Sequence, residues 1–357
     1  LMRAMGLQGA RRGKKVRTVL IRLSPRRTTG RMWSICANLG PDEAACASYL
    51  ERARCSDGSI CDHCGSPGEP YRFANRPGVF RCRHCNRDTS LTAGTVRDRT
   101  HTPLSVWFWA ASLVASQTPG MSAVQFPRQL GRSRYETAFQ ILHKLRAGMV
   151  RPDQDRIGGK SEEVVEADET YVGGRTRGKG RGVHDRVLVA GAVEVRQRKR
   201  TSSLNKRKTG RYAGRVRLAL VSDRSAQSLG GFIDGNVAPG TTIITDDWSG
   251  YAKLSEHGYS HTAVAERGDM QVAETFLPII LLVFSNLKTW LRGTHHGVSP
   301  QHLPAYLNEF TFRFNRRFSP FNAFLSLLGI AGDVTAPTYA ELYATKSPPT
   351  TSSKLGS

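Results

Sequence analysis

Four residues in the second half of the chain have the types and settings needed to hold a divalent metal beside a phosphodiester. They are Asp168 in VVEADETYVGG, Asp246 in TTIITDDWSGY, Asn286 in VFSNLKTWLRGTHHG and Glu309 in YLNEFTFRFNRR. Asp168 and Asp246 each close a run rich in Val, Ile and Thr, which places both carboxylates at or near strand ends; Asn286 and Glu309 follow helical patterns. Two acids on neighbouring strands with a third oxygen ligand on a helix can hold a metal pair about 4 Å apart, one ion activating an attacking water or hydroxyl and the other neutralising the leaving oxygen. Mg2+ keeps several waters and needs few carboxylates, so two Asp and one neutral amide suffice. Each strand also carries an adjacent acid, Glu169 and Asp247, and alternation allows only one of each pair to point into a site. Taken alone, Asp168 also reads as a capping or turn residue, and Asp246 as the opening of an Asx turn in DDWSG.

A second chemistry lies upstream. Four of the seven cysteines pair as Cys61-x-x-Cys64 and Cys82-x-x-Cys85, with seventeen residues between the pairs. Each CxxC turn delivers two thiolates, and two turns close a tetrahedron around Zn2+. A disulfide reading needs an oxidising compartment, which nothing in the sequence indicates. Cys36, Cys46 and Cys55 read as small apolar residues rather than ligands.

The elements that must position these groups fall into an ordered series. Residues 1–31 hold ten Lys or Arg and no acid, a composition that does not fold alone; they are either a DNA-binding arm or translated sequence upstream of the true start. Residues 32–97 form a unit of one short helix, PDEAACASYLERAR with Asp42 or Pro41 at its cap, followed by the ribbon. In residues 98–150, an apolar helix from Pro103 to Ser116 precedes a helix-turn-helix pattern. Ser122 opens its first helix, Gly131 supplies the turn, and Tyr135 to Arg146 shows apolar spacing. Pro127 should kink or shorten the first of these helices. The exposed face of the second would offer Arg132, Arg134, His143, Lys144 and Arg146 to DNA, or simply to water.

Strand-like runs dominate residues 161–330: VVEADETYV, RVLVAGAVEV, RVRLALVSD, TTIITDD and HTAVAE, with a helix near Gln227 to Ile233 and two closing helices, Leu277 to Arg292 and Pro300 to Arg316. The pattern gives an α/β domain. Two loops are basic, GGRTRGKGRGVHDR and the stretch 196–217 with ten Lys or Arg and no acid. The first is not a Walker loop, because Gly follows its Gly-Lys where Ser or Thr is required, so ATP is not implied. Residues 331–357 read as a flexible tail.

The chain has 357 residues, a formal net charge of +23 and 39% hydrophobic content, enough for real cores and strongly attractive to a polyanion. Charge spread along the chain suits an extended nucleic-acid track better than one small acidic ligand; ribosomal or membrane-surface binding is the blander alternative. The longest apolar runs, such as Phe276 to Phe284, are too short to span a bilayer, and the basic N-terminus lacks a signal-peptide core. A cytoplasmic protein is expected.

The motifs around Asp168, Asp246, Asn286 and Glu309, above all NLKTWLRGTHHG with YLNEFTFRFNRR, resemble those of bacterial insertion-sequence transposases of the ISXO2-like type. This is a branch of the DDE superfamily in which Asn often takes the third acidic position, and the likeness runs from about Trp33 to Phe324. The resemblance implies a ribonuclease-H-like catalytic domain behind a zinc ribbon and a helix-turn-helix. It selects Asp168 and Asp246 over their neighbours: Asp168 to bridge two Mg2+ (or Mn2+) ions, Asp246 to hold one and Asn286 the other. It also implies an active-site or DNA-phosphate role for Lys288, support of the metal site by Glu309, and phosphate contacts by Arg313 and Arg316. The implied partners are double-stranded DNA of element ends and target, with a homodimer or higher assembly on the DNA. The implied activity is metal-dependent cleavage at element ends and strand transfer. A zinc-ribbon DNA-binding regulator with a dead catalytic domain, or a nuclease on the same fold, remains open. One departure bears on activity: relatives commonly carry His five residues before the Asn, where this chain has Leu281.

Overall fold

The computed structural model describes residues 42–55, 58–129, 134–151, 154–159, 163–173, 186–197, 210–265, 275–335 and 337–343. The basic extension 1–31, Cys36, Arg132 with the Gly131 turn, most of both basic loops and residues 344–357 lie outside them.

Helix α1 (Glu43–Arg54) is capped by Asp42, whose Oδ1 accepts from Ala44 N at 3.0 Å, as expected of an Asp at that position. Its Glu43 reaches across to α2 (Leu104–Ser116) and accepts from Leu104 N and Ser105 N, at 2.6 and 3.0 Å. Pro103 offers no side-chain cap, so the neighbouring helix supplies the missing acceptor. Between the two helices, β1 (Tyr71–Arg72), β2 (Val79–Arg81) and β3 (Asp88–Ser90) form an antiparallel sheet in that order. Arg54 holds this unit to α1 by donating to Leu91 O at 2.6 Å.

The next helices are α3 (Gln125–Gln129), α4 (Tyr135–Ala147) and, far later in the chain, α8 (Pro320–Asp333) and α9 (Tyr339–Tyr343). Ser122 Oγ accepts from Gln125 N at 3.1 Å and opens α3, which spans five residues with Pro127 buried inside it. Helix α8, which the sequence pattern did not resolve, packs on α2 with Phe324 edge-on to Phe108. The helical unit is therefore built from both ends of the chain. Residues 337–343 are not a loose tail: Leu342 is buried, and Tyr339 donates to Glu136 of α4 at 2.9 Å.

Helix α4 departs from the expected DNA-reading face. His143 and Arg146 are buried, because α4 is packed against α2, α3, α8, α9 and α7 (Leu303–Asn315) at once. Burial, with Arg146, His302 and His295 adding to it, holds His143 neutral with a pKa near about 2. Arg134 is exposed, and Lys144 is half-buried.

A mixed five-stranded sheet forms the second half, from β4 (Val164–Val172), β5 (Val187–Gln197), β6 (Arg211–Leu220), β7 (Thr242–Asp246) and β8 (Ser260–Val264), ordered β6-β5-β4-β7-β8. β4, β5 and β6 are antiparallel, whereas β7 and β8 run parallel to β4 and need the crossover helix α5 (Ala226–Asn236). Both faces are covered. Val189 and Val193 pack under α6 (Pro278–His295) and α7, while Ala190 and Ala192 face α5.

The helical and sheet parts meet at a buried ion pair. Glu309 of α7 accepts from Arg146 Nε of α4 at 2.8 Å and pairs with Arg313 Nη1 at 3.4 Å. Arg313 also donates to Gln117 O and to Thr118 O, in the turn after α2. Both oxygens of Glu309 are thus used, and removing the carboxylate leaves Arg146 buried and unpaired. Glu309→Ala should lower the free energy of unfolding by about 3–5 kcal/mol in urea denaturation. A loss below about 1 kcal/mol with DNA cleavage abolished would place Glu309 at the metal site instead.

Candidate active site and metal centres

The face that gathers the acids begins at Glu166. Its wholly buried carboxylate accepts from Ile279 N and Ile280 N at 2.8 and 2.9 Å, the first amides of α6. Leu277 gives α6 no side-chain cap, so β4 supplies it. Burial raises the Glu166 pKa against the pull of those two amides. Side chains of 166, 168 and 170 share one face of β4, so the strand that caps α6 also aims Asp168 and Thr170 toward it. Gly191 of β5, paired with Asp168, lets α6 lie close: a Cβ there would stand 2.8 Å from the Phe284 ring.

The parallel register aligns Glu166 with Ile244, so Asp168 and Asp246, each two residues further, come level on adjacent strands and on the same face. Carboxylate oxygens of Asp168, Asp246 and Glu169 all lie within 4.8 Å of one another. Asp247 is exposed and outside this group. Alternation excludes Glu169, yet the structure brings it in. Strand β7 ends at Asp246, so at the level of Glu169 no β7 residue fills that side of β4.

Glu169 is held firmly by Tyr251, whose hydroxyl donates at 2.7 Å, and by Arg224. Arg224 also stands 3.9 Å from Asp246 Oδ2 and lies over the Trp248 ring at 4.0 Å. Burial, followed by Glu169, pushes the Tyr251 hydroxyl well above its ordinary range, so it remains a donor. The sequence reading missed Arg224, Tyr251 and Trp248. Trp248 and Tyr251 sit in the DDWSGY motif, and Arg224 carries no local signal.

Lys288 of α6 donates to Thr170 Oγ1 at 2.6 Å, and its burial lowers its pKa against the opposing pull of Asp168. It therefore belongs to the acid face. Asn286 is exposed and, two residues earlier, sits about 200° around the helix from Lys288. Leu281, seven residues before Lys288, falls within about 20° of the same flank. The site thus gathers Asp168, Asp246, Glu169 and Lys288, and does not gather Asn286 or Glu309. Arg313 is committed to Glu309 and main-chain carbonyls, and Arg316 to Phe312 O and the Phe312 ring. An all-oxygen donor set suits a hard divalent cation, so the residues present fit Mg2+ or Mn2+.

The ribbon builds a separate centre from two matching turns. Cys61 N donates to Ser66 O and Gly65 N to Cys61 O; Cys82 N donates to Arg87 O and Asn86 N to Cys82 O. Gly65 and Asn86, each just after the second cysteine of a pair, take positive φ of 72° and 56°, the conformation that turns the chain back. The Sγ separations Cys61–Cys85 and Cys64–Cys82 are both 3.7 Å. A tetrahedron with Zn–S bonds of about 2.3 Å has an edge of about 3.8 Å, so these two separations match opposite edges of a zinc shell, and all four sulfurs lie within 4.8 Å of one another. Bonds from the Ser66 side chain and main chain bring Cys64 down to about 6, which favours the thiolate ligand.

Two family models match this chain. Residues 160–315 match the ISXO2-like transposase domain, and residues 41–88 match the transposase zinc-ribbon domain. Comparison with curated proteins and with solved structures gave no match. Among the described residues, no helix is long and apolar enough to cross a membrane.

The ribbon should carry one tightly held Zn2+ per chain, and Cys82→Ser should release it and unfold the unit locally. Metal analysis of protein purified without chelator checks this. Zinc retained after loss of both Cys82 and Cys85 would place the ion elsewhere.

Proposed function

We propose that this chain, which carries an ISXO2-like transposase domain behind a transposase zinc-ribbon domain, is a DNA transposase that cleaves element ends and joins them to target DNA. The observation that carries the reading is the level pair Asp168 and Asp246 on adjacent parallel strands, facing Lys288. Three antiparallel strands, two parallel ones and helices on both faces support a ribonuclease-H-like catalytic domain. Asp168 and Asp246 would hold divalent cations, which when bound supply an activated oxygen nucleophile and neutralise the leaving oxygen.

The chain's own groups prepare that site. Glu169 and Tyr251 fix Arg224 beside Asp246, where its guanidinium can meet a phosphate oxygen. Lys288 places a second cation over the same strands, near the position a scissile phosphate takes between the acids. A net charge of +23 draws the DNA in.

A second reading, a DNA-binding protein with weak or absent transposition, has one observation in its favour. The flank of α6 that bears Lys288 carries Leu281, while Asn286 points to the other flank. Asn286, the oxygen ligand that the resemblance implies on α6, then does not face the acid pair. The two readings differ in the strand transfer of the unmodified chain.

Asp168→Asn or Asp246→Asn should abolish Mg2+-dependent cleavage of end DNA, by 100-fold or more on the order of a lost metal ligand, while binding of that DNA stays nearly intact. Asp247→Asn and Asn286→Ala should cost less than about tenfold. Equal losses at 246 and 247 would mean the wrong acid has been assigned. Under the second reading, Leu281→Asn should raise strand transfer with little change in thermal stability; robust activity of the unmodified chain with no gain removes that reading.

A further inference from the structure

A basic surface lies at the end of the sheet away from the acid pair. Gly191 of β5 pairs with Asp168, and Arg196 is five residues further along β5, roughly 17 Å away at the rise of a strand. Here Glu194 is wholly buried and accepts from Arg196 Nη2 at 2.8 Å, Arg215 Nε at 2.8 Å, Arg215 N at 2.9 Å and Gly158 N at 3.2 Å. Its oxygens are used up by these donors, and one carboxylate offsets only one of the two guanidinium charges.

More arginines converge on the same end, their hydrogen bonds going to main-chain carbonyls rather than to further carboxylates. Arg217 donates to Val216 O and Asp155 O, and Arg317 to Gly214 O, Ala213 O and Phe314 O, all neutral carbonyls. Burial and then the neighbouring Arg151 and Arg217 bring Arg316 down to about 10, so these cations repel one another and still stay charged at neutral pH. Asp155 stands beside Arg217. Around this packed layer Arg151 and Arg156 are exposed and Arg196 keeps 41% of its side chain in solvent. Arg215 Nη2 reaches the Arg156 carbonyl at 3.4 Å, which ties that segment to β6.

An aromatic edge continues the surface. Phe318 is 72% exposed, with the Arg317 guanidinium 4.3 Å from its ring centre and Tyr212 edge-on to it. A ring this exposed gains nothing from the core, while arginine layered on an aromatic offers a charged face flanked by an apolar one, the pairing that meets a phosphate and its sugar.

We propose that this surface binds the phosphate backbone of duplex DNA away from the cleaved bond, through Arg151, Arg156 and Arg196, with Phe318 against the adjoining sugars. The proposal rests on the transposase reading for the identity of its ligand. Charges spread over the segment 151–156, the end of β5 and the end of α7 suit a repeating polyanion, whose phosphates recur about every 3.4 Å along each strand. A duplex touching both this surface and the acid pair spans at least about five base pairs beyond the cut.

The test uses the full chain, zinc-loaded, and a duplex of about 30 base pairs of arbitrary sequence, with affinity measured by fluorescence anisotropy over a salt series. Replacing Arg151 and Arg156 by Ser and Arg196 by Gln together should flatten the plot of log affinity against log salt by roughly two to three units, at about 0.9 for each phosphate that is no longer neutralised. The triple Lys variant should keep the slope. Phe318→Ser should weaken binding at every salt concentration with the slope unchanged, because it removes no charge. If the triple variant loses its native circular dichroism, Arg151→Ser and Arg156→Ser alone should each lower the slope by about 0.9. An unchanged slope in these variants overturns the proposal. Cleavage of end DNA, with Asp168→Asn as control, is read in parallel: cleavage with an unchanged slope removes this surface alone, and a reduced slope without cleavage keeps the surface and removes the transposase reading.

Discussion

The buried bond between Glu166 and the first amides of α6 is the constraint on which the sheet half and its acid face depend. A carboxylate under an apolar helix is costly unless it is hydrogen-bonded, and the start of a helix offers donors with no partner of their own; both amides converge on Glu166 Oε2. Because Glu166 lies on β4 two residues before Asp168, the same contact that stabilises α6 also fixes where along the acid strand the helix sits. Lys288 then reaches Thr170, two residues after Asp168, and Phe284 drops onto Gly191.

The acid face itself shows how charge is balanced before any ion binds. Three carboxylates within 4.8 Å repel one another. Arg224 and Lys288 stand against them from opposite faces of β4, and Tyr251 donates into Glu169. Glu169 faces the α5 side with its oxygens bound by Arg224 and Tyr251, whereas Asp168 faces α6. One strand thus turns one acid toward α6 and uses the next to hold the arginine beside it.

Polar ties between elements fasten the N-terminal half around its buried apolar residues. Glu43 caps α2 from α1, Arg54 reaches Leu91 O beside the ribbon, and Arg146, Glu309 and Arg313 lock α4 to α7 and the turn after α2. Trp290 and Thr294 of α6 also donate to Pro119 O in that turn. Any motion of the helical unit against the sheet must break several of these bonds together. The ribbon is the exception, closed on itself by two identical turns and four sulfurs.

Residue pattern alone determined what is local. The CxxC spacing gave the sulfur tetrahedron, since each turn is a short closed loop whose geometry depends on few residues, and alternation in VVEADETYV gave the strand and its faces. Apolar periodicity located α6 and α7 to within a few residues. Choosing Asp246 over Asp247 needed the family resemblance, and the parallel register of β4 and β7 agrees with it. What the tertiary structure decided are the facts that depend on neighbours. Arg146 and Glu309 look like surface charges on their own helices, but each is buried because another helix covers it. Glu169 joins the acids where β7 stops, and Asn286 turns away because burial of Ile280, Val283, Phe284, Leu287 and Leu291 against the sheet sets the rotation of α6. Helix α8 packs with α2, some two hundred residues earlier. Sequence reading sees one element's period, whereas burial and rotation are fixed by the partner it packs against, which lies elsewhere in the chain.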